Sequence, residues 1–284
     1  MRNATRLLIL AALLGACGGA TPTNSPSPRS SPSPTASPSP TPGSDVAVIR
    51  IAQVGGMMPP WISVNWYPAV VVYADGRLIT MGPQFELYPG PALPNLQVTQ
   101  LTQAGLAQVL TWAGQAGLVG PDRTLGEPIL DSPVTVFTVQ TDVGPHQTIL
   151  QGINDDPAVQ ALLRFQDALL SVRSLVDAGA VVGDDVPFAW QRMQILDVPA
   201  DPGQAPDPQL VSLRAWPLAP LATLGRLIEP GQGYRCAVIE GADADTLRTA
   251  LEGANELTFW TSDDEVYQVT FHPLLPDESG CTGF

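Results

Sequence analysis

The stretch AVVVYADGRLITM, residues 69–81, carries the clearest structural signal in the chain. Two runs with strand character, residues 69–73 and 77–81, flank Ala74-Asp75-Gly76. An Asp-Gly pair between such runs is a strong hairpin signal, because glycine accepts the positive φ that a tight turn requires. The stretch therefore predicts two antiparallel strands joined by a short turn.

Strand patterns recur on both sides of this hairpin. Residues 46–54 alternate in polarity, and a second hairpin is predicted around the turn DVGP at 142–145. Further strands are predicted at residues 189–198, 210–216, 234–239, 257–261 and 266–271. Adjacent strands joined by short turns favour antiparallel sheet.

Three helices are predicted between these strands. Thr102 caps the first helix, which ends at Gly117. Asp156 caps the second, with Pro157 at its first helical position, and Asp243 caps the third. Together with the strands, they predict an α+β fold of mainly antiparallel sheet with about three packed helices.

The folded part is expected to span residues 45–284, which is enough chain for one large domain or two small ones. A break in the strand and helix patterns at residues 177–185 predicts two subdomains, 45–180 and 186–284.

The N-terminus carries a targeting pattern. Arg2 and Arg6 precede an apolar run at residues 7–15, which is too short to span a bilayer, and LGAC follows at 14–17. This arrangement resembles the bacterial lipobox. The resemblance implies a signal peptide over residues 1–16, cleavage before Cys17, and a diacylglyceryl thioether on its sulfur with fatty acids such as palmitate. An ordinary secretory peptide is the alternative.

A proline-rich segment follows the predicted lipid anchor. Residues 21–44 read TPTNSPSPRSSPSPTASPSPTPGS, in which eight of 24 residues are proline. Such a composition cannot bury a hydrophobic core, so we expect residues 17–44 to be a lipid anchor and a disordered linker. At about 3.1 Å per residue the linker would reach on the order of 75 Å. It would hold the domain outside the cell and tether it to the cell membrane.

The composition excludes several classes of function. The chain has 13 arginines, no lysine and 27 acidic residues, for a net charge of −14. The absence of lysine excludes a Schiff base and a P-loop lysine, and two histidines cannot form a three-histidine zinc site. The negative charge argues against a nucleic-acid partner. We therefore expect no cofactor, no metal and no nucleic acid.

Cys236 and Cys281 are the remaining cysteines after Cys17. Two such cysteines in an exported chain are most often bridged. A metal or redox pair is the alternative, although the chain has no C-x-x-C motif. The predicted disulfide would close a loop of about 45 residues and clamp the C-terminal tail.

Candidate catalytic residues are few. His146 and His272 lie far apart in sequence, and no G-x-S-x-G motif accompanies them. We expect both histidines to be solvated edge residues. We expect four acidic pairs to form solvated turns and caps: Asp155-Asp156, Asp184-Asp185, Asp263-Asp264 and Asp277-Glu278. A calcium ion that bridges two of these acidic turns stays open as an alternative. The sequence thus predicts no catalytic residue.

The best candidate for partner recognition is the segment GGMMPPWI at residues 55–62. Met57, Met58 and Trp61 lie in it, and Trp66 follows shortly after. Methionine and tryptophan on a loop can form an adaptable binding surface. The alternative is a long connection that folds back over a sheet.

Several stretches resemble a family of uncharacterised secreted proteins and lipoproteins from actinobacteria-like bacteria. They are the glycine pair 55–56, PAVVVYADG at 68–76, YPGPALP at 88–94, and a tail with LLPDE at 274–278 and Cys281. The resemblance covers most of residues 50–284 and implies no activity. In that family an arginine usually stands where this chain has His272, which weakens the idea that a charge there does chemistry.

These patterns favour a membrane-anchored, extracytoplasmic lipoprotein without enzymatic activity, which binds an envelope protein or polymer or has a structural role. Two alternatives stay open. A hydrolase would need a cleft that holds a histidine beside serine and aspartate. A solute receptor for a transporter would need two lobes with parallel sheets.

Overall fold

The computed structural model describes residues 45–57, 66–84, 86–229, 231 and 233–282, all within one unit of the chain. They form an α+β fold that is mostly β-sheet, as the sequence predicts. There are two sheets, each with its own hydrophobic core. The predicted signal peptide, the lipid-bearing Cys17 and the linker lie outside the described residues.

The first sheet has eight strands: β1 (Ala47–Val54), β2 (Val70–Tyr73), β3 (Arg77–Met81), β4 (Leu96–Leu101), β5 (Arg123–Leu125), β6 (Val134–Thr141), β7 (Gly144–Leu150) and β8 (Val181–Pro187). Their order across the sheet is β5-β7-β6-β1-β2-β3-β4-β8. The β5–β7 pair is parallel and its other neighbouring pairs are antiparallel. Strand β8 begins inside the region predicted as a break, and the division into subdomains stays a prediction.

The predicted hairpin at residues 69–81 is confirmed as strands β2 and β3. Gly76 has a φ of 86°, and its N–H donates to the carbonyl of Tyr73 at 2.9 Å. A Cβ atom at Gly76 would lie 2.4 Å from the carbonyl oxygen of Leu101. Glycine is therefore required both for the turn and for the close approach of the β4 end.

Helices α1 (Gln103–Gln115) and α2 (Pro157–Leu170) cover one face of this sheet, and the short α3 (Val172–Leu175) follows. The predicted caps are confirmed: Thr102 Oγ1 accepts from Gly105 N at 3.2 Å, and Asp156 Oδ1 accepts from Ala158 N at 2.7 Å. The core beneath combines sheet and helix residues: Ile49, Ile51, Val70, Val72, Leu106, Val109, Leu162 and Leu169.

The second sheet has six strands: β9 (Arg192–Pro199), β10 (Ser212–Ala215), β11 (Arg226–Glu229), β12 (Tyr234–Glu240), β13 (Thr258–Ser262) and β14 (Glu265–Pro273). Their order is β10-β13-β14-β9-β12-β11, and the β10–β13 pair is parallel. Helix α4 (Ala242–Ala250) packs on one face through Ala244 and Leu247. It begins one residue after Gly241 (φ 62°), so the prediction that Asp243 caps it is wrong. Among the described residues, no helix combines the length and hydrophobicity needed to cross a membrane.

Strand β14 presents different side chains to the two faces of its sheet. Tyr267, Val269 and Phe271 belong to the core under α4. The alternate residues Gln268, Thr270 and His272 therefore belong to the opposite face, because successive side chains of a strand point to opposite sides. This second face of β14 lines the candidate site.

Contacts between the two sheets hold this face next to the first sheet. The Phe188 N–H, just after β8, donates to the carbonyl of Leu96 at 2.9 Å. The loop between β3 and β4 reaches the second sheet, where Gly90 N donates to Glu256 Oε1 at 2.8 Å. A small apolar cluster packs Leu275, beyond β14, against residues of β2, β3 and β4: Val71, Tyr73, Ile79 and Leu96.

Candidate functional site

The chain beyond β14 turns back onto the first sheet and is held there by the predicted disulfide. Cys236 on β12 and Cys281 are bonded, with Cα atoms 5.8 Å apart, which confirms that prediction. The Cys281 N–H also donates to the side chain of Gln194 on β9. Residues 274–281 are therefore tied to the second sheet at both ends.

An ion-pair cluster joins this tail to the first sheet. Arg50 on β1 contacts Asp277 Oδ2 at 2.7 Å through Nη1 and Glu278 Oε1 at 2.6 Å through Nη2. The Tyr73 hydroxyl on β2 donates to the other oxygen of Asp277 at 2.5 Å. The two acidic side chains are only 20% and 18% exposed, so the prediction that they form a solvated turn is wrong. Arg50 lies 227 residues from Asp277 and 228 from Glu278 in sequence.

His272 is part of the same cluster. The residue is 6% exposed, and its Nε2 lies 3.2 Å from Glu278 Oε2. Its ring stacks on Tyr67, with ring centroids 4.2 Å apart and planes within 9° of parallel. The prediction of a solvated edge histidine is therefore wrong here, because the tail and the segment before β2 cover this face of β14. His146, at 25% exposure, stays near the surface on β7, 3.8 Å from Asp122.

The cluster contains one strongly perturbed carboxyl group. Burial raises the pKa of Glu278, but hydrogen bonds from His272 and the Leu275 N–H, with the charges of His272 and Arg50, lower it overall to about 2. Glu278 is therefore ionised at physiological pH. Burial and nearby carboxylates raise the pKa of the Tyr67 and Tyr73 phenols, so both stay neutral.

Two polar atoms of the cluster have no hydrogen-bond partner among the described residues. They are the Tyr67 hydroxyl and His272 Nδ1, and both atoms are buried. Leaving such atoms unpaired would cost about 1–3 kcal/mol each. Among the described residues, Glu278 is the hydrogen-bond partner of the His272 imidazole, and no serine or threonine hydroxyl hydrogen-bonds to it.

A cavity of about 680 Å³ lies beside the cluster. Its walls come from the end of β1, the segment before β2, the second face of β14 and the tail: Arg50, Gln53, Trp66, Tyr67, His272 and Glu278 are among them. Its volume falls in the range of small-molecule binding sites. The salt bridges, the aromatic stack and the disulfide hold this wall in one arrangement.

A second cavity, of about 620 Å³, lies on the other side of Trp66. Gln268 and Thr270 of β14 line it, together with Tyr88, Asn255 and Glu256. Trp66 lines both cavities, and β14 contributes to both. We call the two cavities together the β14 groove.

The four residues predicted for partner recognition have different outcomes. Trp66 is half-buried between the two cavities, and Met57 is 77% exposed near the end of β1. Met58 and Trp61 lie outside the described residues. The sequence patterns assign no binding role to Arg50, Tyr67 or Glu278, although the tail motif LLPDE ahead of Cys281 marks the segment that carries Glu278.

The described residues include no cluster of three or more histidine, cysteine, aspartate or glutamate side chains suited to a metal ion. Comparison with known proteins gives no further guidance: no protein family, curated protein or solved structure matches the chain. The functional argument therefore depends on the geometry of the groove.

Proposed function

We propose that this protein is a lipid-anchored, extracytoplasmic lipoprotein that captures an envelope component in the β14 groove without chemical turnover. The leader motif LGAC at residues 14–17 supports the anchor, and the proline-rich segment 21–44 supports a tether that holds the domain away from the bilayer. The disulfide between Cys236 and Cys281 agrees with export, because such bonds persist in oxidising compartments.

The observation that carries the binding role is the position of Trp66 between two sizeable cavities whose walls are fixed. Binding surfaces concentrate their energy in a few aromatic residues set among polar groups. A rigid wall also reduces the entropy lost on binding. The salt bridges of Arg50 provide that rigidity on one side, and the Gly90–Glu256 contact provides it on the other.

A binding role is favoured over hydrolysis by the state of His272. A general base must reach the proton that it removes. One imidazole nitrogen already faces Glu278, and the other is buried, with no hydrogen-bond partner in the part of the chain that the structure describes. We therefore infer that this histidine supports the groove wall. The mixed, largely antiparallel sheets also disfavour the two parallel-sheet lobes of a solute receptor.

Photo-crosslinking in the native envelope tests the binding role. A crosslinking amino acid at Ser279, an exposed residue lining the first cavity, should capture an envelope component. The same group at Thr246, an exposed position on α4 at the opposite face of the sheet, is the matched control. Equal capture from both positions, or none from Ser279, would contradict the proposal.

A further inference from the structure

The cavity between Trp66 and β14 combines aromatic surfaces with uncharged polar groups. Trp66 is half-buried in its wall, and Tyr88 is 57% exposed at its rim. Flat aromatic rings offer large apolar surfaces at low entropic cost, and they stack on the C–H faces of sugar rings. We propose that the β14 groove binds a neutral carbohydrate chain; this gives a chemical class to the ligand and rests on the proposed function.

The polar groups in the wall match the needs of sugar hydroxyls. The side chains of Gln268 and Thr270 and the indole N–H of Trp66 make no hydrogen bond within the described chain. Glu256 uses Oε1 to accept from Gly90, which leaves Oε2 as an acceptor. A hydroxyl both donates and accepts, and this wall offers amide and indole donors beside amide and carboxylate acceptors.

The charge of the second cavity favours a neutral ligand over an anionic one. Glu256 is the one charged side chain among its described lining residues. The whole chain is also strongly acidic. A phosphate-rich or otherwise anionic polymer would meet like charge there without a compensating arginine.

The two cavities of the β14 groove are neighbours along β14, and Trp66 borders both. Gln268, Thr270 and His272 lie at alternate positions of β14, so their side chains follow one face of the strand from the second cavity to the first. At about 3.3 Å per residue, the distance along β14 from Gln268 to His272 is on the order of 13 Å. We therefore expect an oligosaccharide to bind more tightly than a monosaccharide.

A proline-rich peptide is the strongest rival occupant. Aromatic grooves also bind polyproline helices, and the chain carries such a sequence at residues 21–44. Proline lacks an N–H, so one third of the residues of this segment offer no backbone donor to the acceptors Glu256 Oε2 and Gln268 Oε1. Every free hydroxyl of a sugar can both donate and accept, so we favour the carbohydrate, and competition with the peptide tests that choice.

Calorimetric titration tests the ligand class. The full-length protein, purified in a detergent without a sugar headgroup, is titrated with cellotetraose, maltotetraose and N-acetylchitotetraose, and with glucose for comparison. At least one tetrasaccharide should bind saturably and more tightly than glucose. Tyr88→Ala should weaken that binding at least tenfold, because it removes an aromatic platform, and Gln268→Leu should weaken it about fivefold.

Two controls keep this test decisive. Gln140→Leu, at an exposed position on β6 of the first sheet, should leave the affinity unchanged. A synthetic peptide of residues 21–44 should not displace the sugar. The carbohydrate assignment would be overturned if the protein bound the peptide but no sugar. It would also be overturned if no tetrasaccharide bound at 10 mM, a concentration far above the dissociation constant of about 1 mM that already marks weak affinity. If crosslinking from Ser279 still succeeded, the proposed binding function would survive that failure.

Discussion

Asp197 on β9 is a buried carboxyl group. The residue is 0% exposed, and within the described part of the chain no other residue hydrogen-bonds either carboxylate oxygen. Its cross-strand neighbour Arg235 donates instead to the carbonyls of Leu224 and Gly225, at 3.1 and 3.0 Å. Burial raises the pKa of Asp197 to about 7, although the charge of Arg235 and the backbone N–H of Asp197 itself oppose the increase.

This raised pKa predicts a pH-dependent stability. The folded state binds the Asp197 proton more tightly than the unfolded state, whose pKa is near 3.8. Protonated Asp197 therefore contributes its full stabilisation to the free energy of unfolding below pH 4. Between pH 4 and pH 7 that free energy falls by about 1.4 kcal/mol per pH unit. Asp197→Asn should remove this slope and be more stable than wild type at pH 8. Denaturant unfolding at a series of pH values measures the free energy of unfolding of wild type and of the variant. An equal dependence of that free energy on pH in the two proteins would contradict the prediction.

At the scale of elements, the tail of residues 274–281 depends on the disulfide for its position. The Cys236–Cys281 bond spans a sequence separation of 45 residues, which in the chain-entropy model stabilises the fold by about 4 kcal/mol. The double variant Cys236→Ser/Cys281→Ser should lower the free energy of unfolding by up to this amount. It should also make the tail more accessible to protease, because the tail then keeps only noncovalent contacts, chiefly the packing of Leu275 and the ion pairs of Asp277 and Glu278.

Reduction of the wild type with dithiothreitol should reproduce both effects. Limited proteolysis with mass spectrometry locates the cleavage, and urea unfolding measures the stability. A tail that resists protease as well as wild type does would show that the ion pairs of Arg50 hold it without the disulfide.

At the scale of the whole molecule, the predicted lipid on Cys17 has to provide the membrane attachment. After removal of residues 1–16, 11 arginines would face 27 acidic residues, a net charge of about −16. Anionic lipid headgroups repel such a surface. Cys17→Ser should therefore move the protein from the membrane fraction to the medium or leave the precursor uncleaved. Fractionation with immunoblotting measures this, and wild type found only in the medium would exclude lipidation.

Local sequence signals determined much of the secondary structure. The β2–β3 turn requires glycine at position 76, because the backbone φ there is positive. Thr102 and Asp156 each accept a hydrogen bond from a free N–H group at the start of a helix. Strand β4, LQVTQL, alternates between apolar and polar residues only over its first four positions and was not predicted, and β5 is only three residues long and has no readable period. The disulfide followed from the cysteine count and the expected compartment.

The candidate site was decided by the tertiary structure. Periodicity shows which residues share a face of β14, but it does not show what covers that face. His272 is buried because Tyr67 and the tail pack over it, and Glu278 is ionised because Arg50 reaches it from a strand at the other end of the chain. Pairings across more than 200 residues depend on how two sheets meet, and no local pattern encodes that meeting. The sequence alone therefore predicts the parts of this protein, and only the packing of the two sheets creates the groove between them.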